Sequence, residues 1–292
     1  MQIGNRFGKI LLTFCFLFAA LLTTTHKAAE ASEKALLFGI VPQQSATRLA
    51  QIWIPLLTKL SAQTGLNIQF ATTKDIPTFE KCLAQGAYEF AYMNPYHYVV
   101  FHETSGYQAF SKQKEKLLQG LIVVRKDNPA QSLKELSGEK FAFPSPGAFG
   151  ASVLPSAEMR KNGIEHPTSY VRSHDSVYRS VAAGLFAAGG GVGRTFGNMD
   201  DAIKDQLRVV YRTEKYTPHA FAHSPKIDAD TAKKVLSAMI AAGNNDPELL
   251  KRLGFKGFVT ATNEDWADVR GLNLTKSEAE VLQEGETACR SD

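Results

Sequence analysis

Short apolar runs alternate with amphipathic stretches along most of this chain, and that alternation is the pattern of strands and helices packed in layers. Residues 36–41 (LLFGIV) read as a buried strand closed by Pro42. Leu49, Ile52, Trp53, Leu56, Leu57 and Leu60 then recur at helical spacing, with Ser45 placed to cap the start and Gly65 the end. The same reading predicts strands at 67–72, 88–93, 117–125, 140–143, 169–172, 207–211 and 219–223. Helices are expected at 76–84, 96–103, 132–136, 151–162, 175–185 and 229–242, followed by a helical C-terminal tail. The run Gly189-Gly190-Gly191-Val192-Gly193 reads as a tight turn between lobes, because it lacks the spacing of a dinucleotide loop. Two β-α-β units, the second inserted in the first, predict an α/β fold of two lobes with mainly parallel sheets. The first lobe would comprise 32–124 and 217–292, the second 125–216, with linkers near 122–126 and 213–218.

The first 31 residues set the compartment. Arg6 and Lys9 precede an apolar run at 10–22, and a polar tail ends in Ala29-Glu30-Ala31. That order is a secretory signal cleaved after Ala31. The apolar run is shorter than the ~20 residues a membrane-spanning helix needs. Cys15 lies inside it after Phe14, which does not fit a lipoprotein signal. The expected destination is the bacterial periplasm. Removing the leader takes three basic residues (Arg6, Lys9, Lys27) and one acidic residue (Glu30) from totals of 33 and 29, so the mature chain is close to neutral. Its charges are mixed in sign along the sequence, unlike the clustered Lys and Arg of a nucleic-acid binder. Cys82 and Cys289 remain after cleavage. An oxidising compartment permits a bridge between them, while a buried free thiol is the simpler reading of Cys82, which falls on an apolar helix face. No Cys/His spacing suggests a metal site.

Candidate site residues lie at strand ends, where open α/β sheets place ligands. Four segments follow a strand and open a helix: 42–45, 92–97, 145–150 and 173–176. Helix starts present free N–H groups that favour anions. Taken singly, Ser45 and Asp175 are ordinary N-cap residues. Enzyme motifs are missing: the sequence has no G-x-S-x-G elbow, no Walker loop and no H-E-x-x-H.

These segments together resemble the periplasmic phosphate/phosphite/phosphonate substrate-binding family of ABC transporters. The resemblance rests on FGIVPQQSATRLAQIWIPLLTKLSAQTG, YEFAYMNPYHYVVF, FAFPSPGAFGASVLP and SHDSVYRSVAAG, in that order. It implies a type II periplasmic binding fold: two α/β lobes, two crossover strands and a ligand cleft between them. It also implies a ligand-facing set of Ser45, Tyr92, Asn94, His97, Gly150 and His174. The chain departs from the family pattern at the anion cradle. Ala148, Phe149 and Gly150 stand where phosphonate binders carry hydroxyls, and each lost charged hydrogen bond is worth roughly 1.5–3 kcal/mol. Backbone N–H groups at that turn, with Ser145 or Ser152, are expected to compensate in part. The stretch 184–188 also lacks the family's acidic residue.

The function implied is a non-enzymatic, monomeric solute-binding protein without cofactor or metal. It would close on a small oxyanion-like ligand and deliver it to an ABC permease. The alternative is the ligand-sensing periplasmic partner of a membrane receptor such as a histidine kinase or cyclase. Phosphonate binding is expected to be weak. Mass spectrometry of the exported protein is expected to find Ser32 at its N-terminus; a mature chain that keeps the apolar run would overturn the cleavage.

Overall fold

The computed structural model describes residues 34–274, with Met1 and Cys289. The expected leader, save for Met1, and most of the C-terminal tail lie outside the described residues. The chain opens with β1 (Leu36–Ile40), α1 (Ala46–Thr64), β2 (Ile68–Ala71), α2 (Ile76–Ala84), β3 (Phe90–Met93) and α3 (Pro95–Ser105). Ser45 accepts a hydrogen bond from the Arg48 amide and so starts α1, and Gly65 ends it in the left-handed conformation that glycine adopts without strain. The apolar stripe of α1 packs down: Leu49, Trp53, Leu56 and Leu60 are wholly buried.

The chain continues with β4 (Gln108–Gln113), β5 (Leu118–Arg125) and β6 (Phe141–Phe143). A π turn at Phe149–Val153 leads into α4 (Leu154–Lys161), followed by β7 (Thr168–Tyr170) and α5 (His174–Ala182). Next come β8 (Ala188–Val192), α6 (Gly193–Gly197), α7 (Asp201–Lys204), β9 (Leu207–Tyr216) and β10 (Ala220–His223). The described chain finishes with α8 (Ala229–Asn245), α9 (Pro247–Leu253), β11 (Phe258–Thr260) and α10 (Ala267–Arg270).

Two sheets result. One has the order β11-β4-β10-β3-β1-β2, the other β7-β6-β8-β5-β9. The expectation of mainly parallel sheets is corrected. β1 pairs in parallel with β2 and β3, and β6 with β7 and β8, but β4, β5, β9, β10 and β11 join antiparallel. β4 and β11 were not anticipated: β4 (QAFSKQ) is largely polar, and β11 is three residues long. β5 and β9 run through the expected linkers near 122–126 and 213–218 and lie side by side in the second sheet. The chain changes sheets at 114–117 and again at 217–219.

The glycine run is a strand, not a turn. Ala188–Val192 is buried throughout and pairs with both β5 and β6. A Cβ at Gly190 would lie 1.8 Å from the Ala151 carbonyl oxygen, and one at Gly191 would lie 2.0 Å from the Tyr178 hydroxyl. Only bare backbone admits these neighbours.

Cys82 and Cys289 form a disulfide, Cα to Cα 5.4 Å, across 207 residues of sequence. The simpler reading of Cys82 as a free thiol is therefore corrected. Its place on the apolar face of α2 is also where Cys289 packs. Closing so long a loop restricts the unfolded chain by up to about 5 kcal/mol. Cys289→Ser is expected to lower the unfolding temperature of the oxidised protein, while adding reductant to the variant changes nothing further. Equal unfolding of wild type and variant under oxidising conditions would contradict the bridge.

Candidate functional site

The ends of β1, β3 and β6 and the start of α5 face one another between the two sheets. The His174 amide donates to the Gln43 carbonyl at 2.9 Å, and Asn94 Nδ2 donates to the Gly147 carbonyl at 2.9 Å. Asp175 accepts from the Ser45 amide at 3.2 Å and from Gln44 Nε2 at 3.3 Å. Nearer the surface, Arg48 reaches the Asn198 carbonyl and Asp200, and Arg179 pairs with the same Asp200 at 2.7 Å. Apart from the Arg179–Asp200 pair, which lies within one layer, these contacts join residues of one sheet's layer to those of the other.

Three of the six expected ligand-facing residues line one cavity. Asn94, Gly150 and His174, joined by Gln43 and His219, surround about 10 Å³, room for about one water. Asn94 caps α3 by accepting from the His97 amide at 2.8 Å, so its carbonyl oxygen serves the helix and its amide faces the other sheet. His174 is buried, with Nδ1 3.0 Å from the Thr195 hydroxyl. Burial, helped by the nearby Arg194 charge, pulls its pKa down to about 3. It is therefore a neutral imidazole at ordinary pH. A Cβ at Gly150 would stand 2.7 Å from Val192 Cγ1, so a serine there would collide with β8.

The structure places the other three elsewhere. Tyr92 is buried against Trp53 and His219 and lines a second, larger cavity. Its hydroxyl accepts from Gln113 Nε2 at 3.1 Å, and burial raises its pKa. His97 turns away from both cavities: Nε2 lies 2.9 Å from Glu80 Oε1, and both side chains are buried beneath α2 and α3. Ser45 is exposed and caps α1.

The cradle turn is occupied by its own backbone. The amides of Ala151, Ser152 and Val153 all donate to the Ala148 carbonyl, at 3.1, 2.7 and 3.3 Å. Three of the N–H groups expected to compensate for the lost hydroxyls are thus spent inside the π turn. Phe149 is fixed between Tyr96 and Tyr216, with ring centroids 6.4 and 5.7 Å away. Ser145 and Ser152 are buried with hydroxyls that have no partner among the described residues, and neither lines the cavity.

Two site residues escaped the sequence reading. Arg194 donates to the Gln43 side chain across the cleft, lies over the Tyr92 ring at 5.9 Å and lowers the pKa of both His174 and His219. His219 is stacked on Tyr92 at 4.9 Å, is buried, and has no partner for Nε2 among the described residues. A strand assignment for the glycine run would have put Arg194 just past a strand end. His219 immediately precedes β10, whose antiparallel direction brings its N-terminal end to the cleft. Among the described residues, no group of His, Cys, Asp and Glu could hold a metal ion, and no helix is long and apolar enough to cross a membrane.

A family model described as "ABC transporter, phosphonate, periplasmic substrate-binding protein" matches residues 38–266. The phosphate-import protein PhnD of Mycolicibacterium smegmatis is 22% identical over 249 residues, covering 74% of this chain and 74% of its own. A binding protein component of an ABC phosphonate transporter from Pseudomonas aeruginosa aligns with a TM-score of 0.77 at 16% identity, covering 88% of this chain and 91% of its own. PhnD1 from Prochlorococcus marinus, solved in complex with methylphosphonate, aligns at 0.74 and 17% identity, covering 82% and 99%. At these identities the structural likeness concerns the fold.

The neutral histidines have a measurable consequence. An unfolded imidazole takes its proton near pH 6.5, whereas folded His174 does so only near pH 3. Acidification between those values protonates the unfolded chain first, so stability falls, by up to about 1.4 kcal/mol per pH unit for this residue. Above the unfolded value it contributes no pH dependence. Nitrogen-15 NMR is expected to find the His174 and His219 rings neutral at pH 5. Titration of both near pH 6.5 would disprove their burial.

Proposed function

We propose a role for this chain on the strength of its family: it belongs to the periplasmic substrate-binding proteins of phosphonate ABC transporters. Its fold is the two-lobed α/β fold of type II periplasmic binding proteins. In this reading the protein is exported by a cleaved leader, captures a small oxyanion-like solute without chemical change, and hands it to a membrane permease. The two sheets with their helices act as lobes that part and close about the segments 114–117 and 217–219. Of the expected ligand-facing set, Asn94, Gly150 and His174 would meet the solute inside the cleft and Tyr92 at its side.

The observation that carries the reading is the cleft itself. Strand ends from both sheets converge on a cavity too small for any solute larger than water. A solute can enter only if the lobes separate. What holds them together there is polar: His174 to Gln43, Asn94 to Gly147, and Asp175 to the start of α1. Such bonds exchange with water at a net cost of only about 1 kcal/mol each, which suits a hinge that opens and shuts.

Thermal-shift measurements on the mature protein against phosphate, phosphite, methylphosphonate and sulfate test this. A ligand present at 100 times its Kd adds about 2.7 kcal/mol to stability. At least one oxyanion is expected to raise the unfolding temperature, and small-angle scattering with that anion to show a smaller radius of gyration. Silence across the panel would overturn capture of a single oxyanion; binding without compaction would overturn the hinge.

A further inference from the structure

The larger cavity beside Tyr92 has a volume of about 360 Å³, within the range of small-molecule sites. It lies where the chain passes between the sheets, against the 114–117 segment and the C-terminal part of β9. Val192 and His219 line both cavities, so the large one adjoins the cleft. Its character is cationic. Lys116, Arg212 and Lys215 stand exposed around it, and none of the three forms an ion pair among the described residues. The acidic neighbour, Glu115, is shared between Lys114 at 3.8 Å and Lys256 at 3.9 Å.

The inner wall supplies donors without partners. Arg194 Nη1 is buried and has no hydrogen-bond partner among the described residues, although Nη2 reaches Gln43. His219 is only 4% exposed, and its Nε2 likewise has no partner among the described residues and donates in the Nε2–H tautomer. Buried polar groups left without partners cost stability, and an anion's oxygens are the natural acceptors for a guanidinium and an imidazole N–H. The cradle turn, by contrast, has spent three of its amides on Ala148 and has no space.

We propose that this cavity is an anion subsite continuous with the cleft, and that the captured solute carries two linked anionic groups. One would be a phosphoryl or phosphonyl group against Arg194 and His219. The second would lie against Arg212 and Lys215, with Lys116 at the rim. This rests on the solute-capture reading and narrows it to a class of ligand: condensed phosphates, or phosphonates bearing a second acid group.

Calorimetry with pyrophosphate and inorganic phosphate, on wild type and on the double variant Arg212→Gln/Lys215→Gln, tests it. Both side chains are exposed, so the variant is expected to unfold at the wild-type temperature. Wild type is expected to bind pyrophosphate at least about tenfold tighter than phosphate. The double variant is expected to lose that preference while its phosphate affinity stays within about threefold. Equal affinity of wild type for the two anions, or an unchanged preference in the variant, would overturn the subsite while leaving capture of a single oxyanion intact. Failure of both anions and of every member of the thermal-shift panel would overturn capture and subsite together.

Discussion

The close approach of the cradle turn to a glycine-bared sheet is the contact on which the rest of the site depends. A Cβ at Gly120 on β5 would lie 2.1 Å from the Gly150 carbonyl oxygen, and one at Gly190 on β8 would lie 1.8 Å from that of Ala151. Side chains at either position would lift the π turn away from the sheet. The turn carries Asn94's partner carbonyl at Gly147 and the ring of Phe149, so the meeting of the lobes would move with it. Gly191 extends the same logic. Its bareness admits the Tyr178 hydroxyl, which lies 2.8 Å from Thr195, and Thr195 in turn lies 3.0 Å from His174 Nδ1. The position of the cleft histidine is thus set by a strand that has no side chain to offer.

Electrostatics around the cleft follow from burial together with one cation. Arg194 sits among Tyr92, His174 and His219, and both histidines lose the ability to carry charge there. Protonating either would add a second buried charge beside the guanidinium without a carboxylate to balance it. The carboxylates at the interface are spent elsewhere: Asp175 receives the start of α1, and Asp200 is held between Arg48 and Arg179. The centre of the cleft is therefore biased towards anions by a single arginine. At 148–153 stands a turn that bonds three of its amides to the Ala148 carbonyl and packs Phe149 on aromatic rings.

Family membership and the departure from its pattern are compatible, because fold and ligand chemistry are carried by different residues. The hydrophobic face of α1, the buried strands β1 and β3 and the aromatic packing of Trp53, Tyr92 and Phe221 maintain the lobe.

Periodicity alone was enough for the α/β class, for α1, α2 and α3 and for the strands that precede them, because one buried face imposes a repeat readable in a single segment. Ser45 could be placed at a helix start for the same local reason, whereas α5 begins at His174 with Ser173, not the expected Asp175, as its cap. The resemblance supplied the two-lobed architecture and drew attention to Asn94, Gly150 and His174, which do share a cavity. What tertiary structure decided was every pairing between distant segments. Strand direction and the polar β4 depend on neighbours hundreds of ångströms of chain away. The glycine run became a strand because Val177, Tyr178 and the cradle turn fill the space its side chains would take. His97 met Glu80 rather than the cleft because α2 packs on α3. Arg194 and His219 acquired a role only when β8 and the antiparallel β10 delivered them to the same cleft. Local sequence carries a helix's own face, but which two faces will meet is settled by packing between segments that no window of sequence contains.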